Sequence, residues 1–230
     1  MENPFNKITD IKHIMKYYHD GMELMFGGFG GVGSPPGLID ALLHSGKTEL
    51  TLIGNDTGFP DIGIGKVIRA GRAKKVIASH IGSNPIAGQL MTDGKLEVEF
   101  SPQGILAERI RAGGMGLGAI LSDIGMDNEI VSGKKKRFTL NEKEYLVEPA
   151  LTAEVSIVYA KKGDPYGNLV YDKSARNTNP LVAMAGSITI AEVEEIVPLG
   201  NLNPEEIVTP GIFVDYLIPS SGVNWKWAWE

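Results

Sequence analysis

Residues Gly27-Gly28-Phe29-Gly30-Gly31-Val32-Gly33 place five glycines between two apolar stretches. Met22–Phe26 before them reads as a buried strand. Pro35 and Pro36 after them mark a helix start, because proline is tolerated in a first turn. Leu38, Ile39, Leu42 and Leu43 give that helix its apolar face. A strand that ends in a glycine turn and passes directly into a helix is a unit of an α/β fold. Glycines there also let backbone N–H groups approach a ligand closely, and a helix N-terminus favours anionic oxygens.

The same cycle repeats downstream. Glu49–Ile53 reads as a strand and Gly65–Ala70 as a short helix. Lys75–Ala78 and Leu96–Phe100 read as strands, and Gly104–Ala112 as a helix. Strand, turn, helix, strand predicts an open, mostly parallel sheet flanked by helices. Upstream, Ile8, Ile11, Ile14, Met15 and Tyr18 stand at helical spacing over residues 8–18. Past residue 130 the texture changes. Lys134–Leu140, Glu144–Val147 and Glu154–Tyr159 read as strands of a small antiparallel insert, with Asn141–Lys143 as a hairpin turn. Asp164–Asn168 is a turn signal. The parallel pattern resumes with a helix at Asn179–Ala185 and a strand at Ser187–Ala191. No internal repeat stands out. Residues 1–218 form one expected domain, and 219–230 a tail that holds all three tryptophans.

The chain has no cysteine, which excludes disulfides, thiolate catalysis and Cys-ligated metal. A formal net charge of -6 argues against a nucleic-acid partner. No apolar run reaches the length of a membrane helix, and the N-terminus is too charged for a signal peptide, so the expected location is the cytoplasm, away from membranes.

Three readings of the glycine turn are open. It is a structural turn, or it is a dinucleotide fingerprint, since Gly28, Gly30 and Gly33 spell G-x-G-x-x-G and Asp56 falls where a ribose-binding acid would. The third reading comes from a wider set of motifs. Asp20-Gly21, Leu24-Met25-Phe26, Gly27-Gly28-Phe29, Gly33 and Pro35 together resemble the alpha-subunit signature of family I CoA-transferases. Further blocks are similar to that family: Asn55-Asp56-Thr57 with Gly63-Ile64-Gly65, Lys75–Gly82 with Asn84-Pro85, Ser101–Gly104 with Glu108–Arg111, Ser174–Asn177 with Asn179-Pro180, and Val208–Gly211. The resemblance runs over about residues 8–218 and looks closest to acetate/acetoacetate CoA-transferase alpha subunits.

That resemblance implies a reaction in which CoA moves from a short-chain acyl-CoA to a free carboxylate. A glutamate carboxylate attacks the thioester, which gives ping-pong kinetics. The family's nucleophile lies in a Ser-Glu-Asn-Gly motif of the beta subunit, and no Glu here is followed by Asn-Gly. No catalytic residue is therefore assigned to this chain. A beta subunit is implied, in an alpha2beta2 assembly, with coenzyme A or acyl-CoA as substrate and no permanently bound cofactor. By resemblance, Gly27, Gly28, Phe29, Gly30, Gly31, Val32 and Gly33 are the CoA-contacting residues. Asn55, Asp56 and Asn84, at strand ends, are candidates for the acyl site or the subunit interface. Gly116, in Gly113-Gly114-Met115-Gly116-Leu117-Gly118, is a second position of close backbone approach, or a plain turn. Where related short-chain enzymes read Thr-Pro-Thr-Gly, this chain has Ser122–Glu129, rich in acid. Asp123, Asp127 and Glu129 there are candidates for selecting an amine-bearing acyl group.

Other readings carry less. His80 at a strand end reads as a hydrogen-bonded structural histidine, and His13, His19 and His44 as surface or interface groups. Lys134–Arg137 reads as a solvated hairpin. Glu108, Arg109 and Arg111 read as ion-pair or subunit-contact residues. A nicotinamide-dependent dehydrogenase and a sugar-phosphate isomerase on a related fold are the alternative enzymes.

Overall fold

The computed structural model describes residues 5–133 and 135–225. In chain order, α1 (Ile11–Ile14) leads to β1 (Glu23–Phe26), α2 (Pro36–His44), β2 (Leu50–Ile53), α3 (Gly65–Arg69), β3 (Ala73–Ala78), α4 (Pro85–Thr92), β4 (Glu97–Phe100) and α5 (Gln103–Gly114). Next come β5 (Ala119–Ser122), α6 (Glu129–Ser132), β6 (Arg137–Leu140) and β7 (Lys143–Pro149). The chain then adds β8 (Ala153–Gly163), β9 (Leu169–Val170), α7 (Asn179–Ala185), β10 (Gly186–Ile196) and β11 (Tyr216–Pro219).

The main sheet has the order β11-β10-β8-β1-β2-β3-β4, with every neighbour along it parallel, and β9 adds antiparallel to β8. Both faces are covered, as an all-parallel core requires. Leu24, Phe26, Leu52 and Val76 pack on one side with Leu38, Ile39 and Leu42 of α2 and Val67 and Ile68 of α3. Their neighbours Met25, Ile53 and Ile77 pack on the other side with Leu106 and Ile110 of α5 and Val182 and Ala183 of α7. The alternation is the period of two that a strand imposes.

β5, β7 and β6 make a separate antiparallel sheet. Its hairpin turns at Asn141 and Glu142, both at positive φ. Buried charges tie this sheet to the main one. Arg109 on α5 reaches Glu99 of β4 at 3.0 Å and the Pro149 carbonyl of β7 at 2.8 Å. Lys135 reaches the fully buried Glu148 at 2.7 Å. Burial opposes ionisation of Glu99, but the ion pairs with Lys75 and Arg109 outweigh it and hold that carboxyl below its usual range.

Three sequence expectations need correction. Glu154–Tyr159 belongs to β8, in the middle of the parallel sheet, and not to the antiparallel insert. Residues 8–18 are not one helix, because the backbone around Ile8 pairs with Leu217 at the β11 edge. The Asp10 side chain then caps His13 N and starts only a short turn of helix. Of the Lys134–Arg137 run, Lys136 and Arg137 are exposed as a solvated hairpin requires, but Lys135 departs from that reading. Lys135 pairs with buried Glu148, which also lies 4.0 Å from Arg109, and Arg137 pairs with Glu144 at 2.6 Å; Lys134 lies outside the described residues. The ion-pair reading of Glu108, Arg109 and Arg111 holds, with Arg111 2.8 Å from Glu108.

Candidate functional site

The chain builds β2, β3 and β4 on one side of β1, then returns to build β8, β10 and β11 on the other. The carboxyl ends of β1 and β8 therefore flank a topological switch point, where open α/β sheets bind ligands. The glycine turn leaves β1 at that place.

Its conformation is set by side chains from distant segments. Gly27 N–H donates to Ile157 of β8 at 3.0 Å and Gly28 N–H to the Asn177 side chain at 3.2 Å. Phe29 and Val32 exchange backbone bonds of 2.9 and 3.1 Å around Gly30 and Gly31. Both of these glycines have positive φ, +57° and +94°, which this two-residue reversal demands. Fully buried Asn179 accepts from Tyr159 N and donates to the carbonyls of Gly33 and Ala175.

A second turn stands beside the first. Gly58-Phe59-Pro60-Asp61-Ile62-Gly63 repeats the pattern Gly28-Phe29-Gly30-Gly31-Val32-Gly33 after the next strand, and Phe59 and Ile62 bridge as Phe29 and Val32 do. The two turns pack together so closely that a Cβ on Gly31 would stand 2.7 Å from Ile62. The expectation of no internal repeat is thus corrected. The repeat is visible as G-F-x-x-(V/I)-G, but Pro60-Asp61 replaces Gly30-Gly31 and hides it.

Asp56 joins the turns. Its carboxylate accepts from Gly30 N at 2.8 Å, Gly58 N at 2.7 Å and Asn55 Nδ2 at 2.8 Å, and the residue is buried. With both oxygens engaged, Asp56 is not placed as a ribose acceptor. Asn84 is buried and committed as the cap of α4. Its Oδ1 receives Ile86 N and Ala87 N, and its Nδ2 donates to the Thr57 carbonyl. Asn55 lies alongside with a buried Oδ1 that has no partner among the described residues. His80 is exposed at the end of β3; its backbone bridges Asp56 and its Nδ1 lies 3.3 Å from Ser79 Oγ.

The donors left for a ligand are few. Pro35 and Pro36 have no N–H. Leu38 N donates to buried Glu192 at 3.0 Å, and Gly37 N bonds the same carboxyl, so the first turn of α2 is already capped. Among the described residues, the N–H groups of Gly31 and Gly33 make no such bond. Burial raises the Glu192 carboxyl above its usual range, against the bonds from Ser220, Leu38 and Gly37. A raised folded value means that Glu192 contributes its full stability below its unfolded pKa and loses it as pH rises through the folded one. Thermal unfolding of Glu192→Gln and the wild type, followed from about pH 4 to about pH 7, should show the variant gaining on the wild type as pH rises. A constant difference would mean that Glu192 titrates as an ordinary carboxyl.

The remaining candidates lie apart from this crevice. Gly116, at φ +73°, follows the Met115 cap of α5 and closes the helix end, with Leu117 N bonded to the Ala112 carbonyl at 2.8 Å. Gly113 and Gly114 let α5 pack against Leu151 and Met184, where a Cβ would meet atoms at 2.0 and 2.6 Å. Asp123 is exposed and paired with Lys143 of the small sheet at 2.5 Å, and Asp127 is exposed on the same loop. A cavity of about 770 Å3 between β4 and the small sheet is lined by Phe100, Arg109, Ile130 and Val147, but by no residue of the glycine turns. Tyr159, within β8 two residues past its last pairing with β1, is buried, and its hydroxyl bonds to Glu194. Burial and that carboxylate push its phenol far above its usual range, so it stays neutral. Sequence reasoning missed Tyr159, Asn177, Asn179 and Glu192 as parts of this crevice. Asn177 and Asn179 stood inside family-like blocks, which was the available signal.

The paired glycine turns stand at the switch point of the parallel sheet, where open α/β sheets bind ligands. The family model for coenzyme A transferase matches residues 8–220, and the chain belongs to that family. It is 60% identical over 227 residues to the probable coenzyme A transferase subunit alpha of Bacillus subtilis, with 99% of each chain covered. It is 47% identical to the acetate CoA-transferase subunit alpha of Escherichia coli, over 93% of this chain and 97% of that one. Among solved structures, the acyl-CoA transferase of E. coli O157:H7 in a thioester complex with CoA shares the fold at a TM-score of 0.84 and 22% identity. That match covers 94% of this chain and 49% of the other. Glutaconate coenzyme A-transferase of Acidaminococcus fermentans shares it at 0.81 and 20%, over 93% and 75%. The parallel sheet with its small antiparallel companion is thus the fold of these transferases, as expected. The dehydrogenase and isomerase alternatives find no support. No helix among the described residues is long and apolar enough to cross a membrane.

Proposed function

We propose that this chain is the alpha subunit of a CoA-transferase that moves CoA between a short-chain acyl-CoA and a free carboxylic acid, with a beta subunit supplying the nucleophilic glutamate. The assembly is alpha2beta2 and cytoplasmic, and CoA is a substrate with no cofactor held permanently. The observation that carries the reading is the pair of interlocked glycine turns at the β1/β8 switch point, in a chain that aligns along nearly its whole length with named alpha subunits.

In the chemistry proposed, the glutamate carboxylate of the partner adds to the thioester carbonyl and expels CoA thiolate, leaving an acyl-glutamyl anhydride. The thiolate attacks the glutamyl carbonyl and releases the first carboxylate, leaving a glutamyl-CoA thioester. A second carboxylate then reverses these steps, which gives ping-pong kinetics. This chain binds and orients. Gly27 through Gly33 face CoA, with Phe29 the exposed residue of the turn, and the buried N–H groups of Gly31 and Gly33 are its donors without a partner among the described residues. Fixed donors of this kind favour negative charge without reorganisation. Asn55, with its unpartnered buried oxygen, sits beside them on the acyl or interface side.

The test is CoA transfer from acetyl-CoA to a panel of carboxylates, with this chain alone, the beta subunit alone, and the co-expressed pair. Activity is expected only from the pair. Activity of this chain alone would place the nucleophile in it and overturn the split site. Inclusion of amino-substituted acids in the panel tests the acid-rich loop. If Asp123 and Asp127 select an amine, changing both to Asn reorders the acceptors. An unchanged order assigns Asp123 to its pairing with Lys143.

A further inference from the structure

The described part of the tail, up to Trp225, returns to the glycine turn. Ser220, directly after β11, donates its hydroxyl to Glu192 at 2.6 Å, beside the capped start of α2. Trp225 then donates its indole N–H to the Ser34 carbonyl at 3.0 Å. Its ring stands edge-on to Tyr159, with centroids 4.6 Å apart and planes at 80°. Ser34 closes the glycine turn. Tyr159 lies two residues beyond Ile157, which pairs with Phe26 at the end of β1. Trp225 therefore sits at the β1/β8 switch point, and it is only half-buried there. The family match ends at residue 220, so this residue lies outside the segment by which the family is defined.

The polar atoms of this aromatic pair are spent. The indole N–H is held by Ser34, and the Tyr159 hydroxyl by Glu194. What the exposed part of Trp225 offers at the switch point is a flat carbon surface, held by the Ser34 bond at its nitrogen and by the Tyr159 ring. Such a surface discriminates acyl chains by the methylenes they lay against it. We propose that Trp225 is a specificity-determining residue that forms an apolar wall of the acyl-CoA crevice and favours acyl chains longer than acetyl. The proposal rests on the CoA-transferase reading given above.

The test compares kcat/KM for butyryl-CoA and acetyl-CoA in the alpha–beta complex carrying wild-type chain, Trp225→Ala or Trp225→Phe. The ratio of the two values on one preparation cancels any loss of folded protein. Trp225→Ala should lower the butyryl-to-acetyl ratio about tenfold, since a methylene contact is worth on that order or more in an apolar pocket. Trp225→Phe, which keeps an aromatic wall but lacks the N–H, should hold the ratio within about threefold of wild type. A ratio unchanged in Trp225→Ala, or one that moves toward butyryl, overturns the proposal. Absence of transfer from either donor by the wild-type complex overturns the reading beneath it, a result distinct from an unchanged ratio.

Discussion

Gly27→Ala should cost this protein about 3 kcal/mol of stability and most of its CoA-transfer activity, whereas Gly30→Ala should cost about 1 kcal/mol. The two glycines stand three residues apart and look equivalent in the sequence. At Gly27 an added Cβ would lie 1.8 Å from Asn179 Oδ1, a contact no real Cβ makes. Asn179 cannot swing aside cheaply. It is fully buried and holds Tyr159 N, the Gly33 carbonyl and the Ala175 carbonyl. Displacing it orphans those groups, and each buried polar group left unpaired costs about 1–3 kcal/mol. At Gly30 nothing lies within 4 Å of the added atom, and the cost is only that of placing a side chain at φ +57°. Denaturant midpoints of both variants, together with CoA transfer by their complexes, decide the matter. Equal losses would mean that the turn is held by its own glycines and not by Asn179.

That contrast marks how far local sequence reaches here. The period of two in β1, β2 and β3, and the apolar stripe of α2, were legible because each depends on neighbours a few residues away. β8 was misplaced because its partners are remote. Leu24 pairs with Val155, about 130 residues on, while the nearer β6 and β7 suggested an antiparallel continuation. The glycine turn was found, but not the atoms that shape it, since Asn177 and Asn179 arrive from the start of α7. Charge was read by composition where geometry decides. Lys135 looked solvated until Glu148 was seen to be buried opposite it. The helix N-terminus after the turn looked open to an anion. The residue that closes it, Glu192, comes from β10, and no spacing rule connects it with Leu38. The placement of the turn at a switch point follows from strand order, and strand order is a global property that short-range patterns do not contain.

Asp56→Ala should be the most damaging change at a polar residue of the crevice, with a loss of about 3 kcal/mol or more and a parallel loss of transfer activity. Its carboxylate is the shared acceptor for Gly30 of the first turn, Gly58 of the second and the Asn55 side chain. Alanine leaves three donors facing each other in a buried place, next to an Asn55 oxygen that already lacks a partner. Asp56→Asn should fall between, because an amide oxygen can still accept from one turn while its NH2 group opposes the other. Unfolding measurements separate this clamp from the role a ribose-binding acid would have. Such an acid contributes to ligand affinity, and its replacement leaves the fold nearly as stable as before. Asp56→Ala with wild-type stability would therefore remove the clamp. A destabilised Asp56→Ala, with Asp56→Asn intermediate, would show that the same carboxylate holds the two turns in the register that Gly31 and Gly33 need to present their N–H groups together.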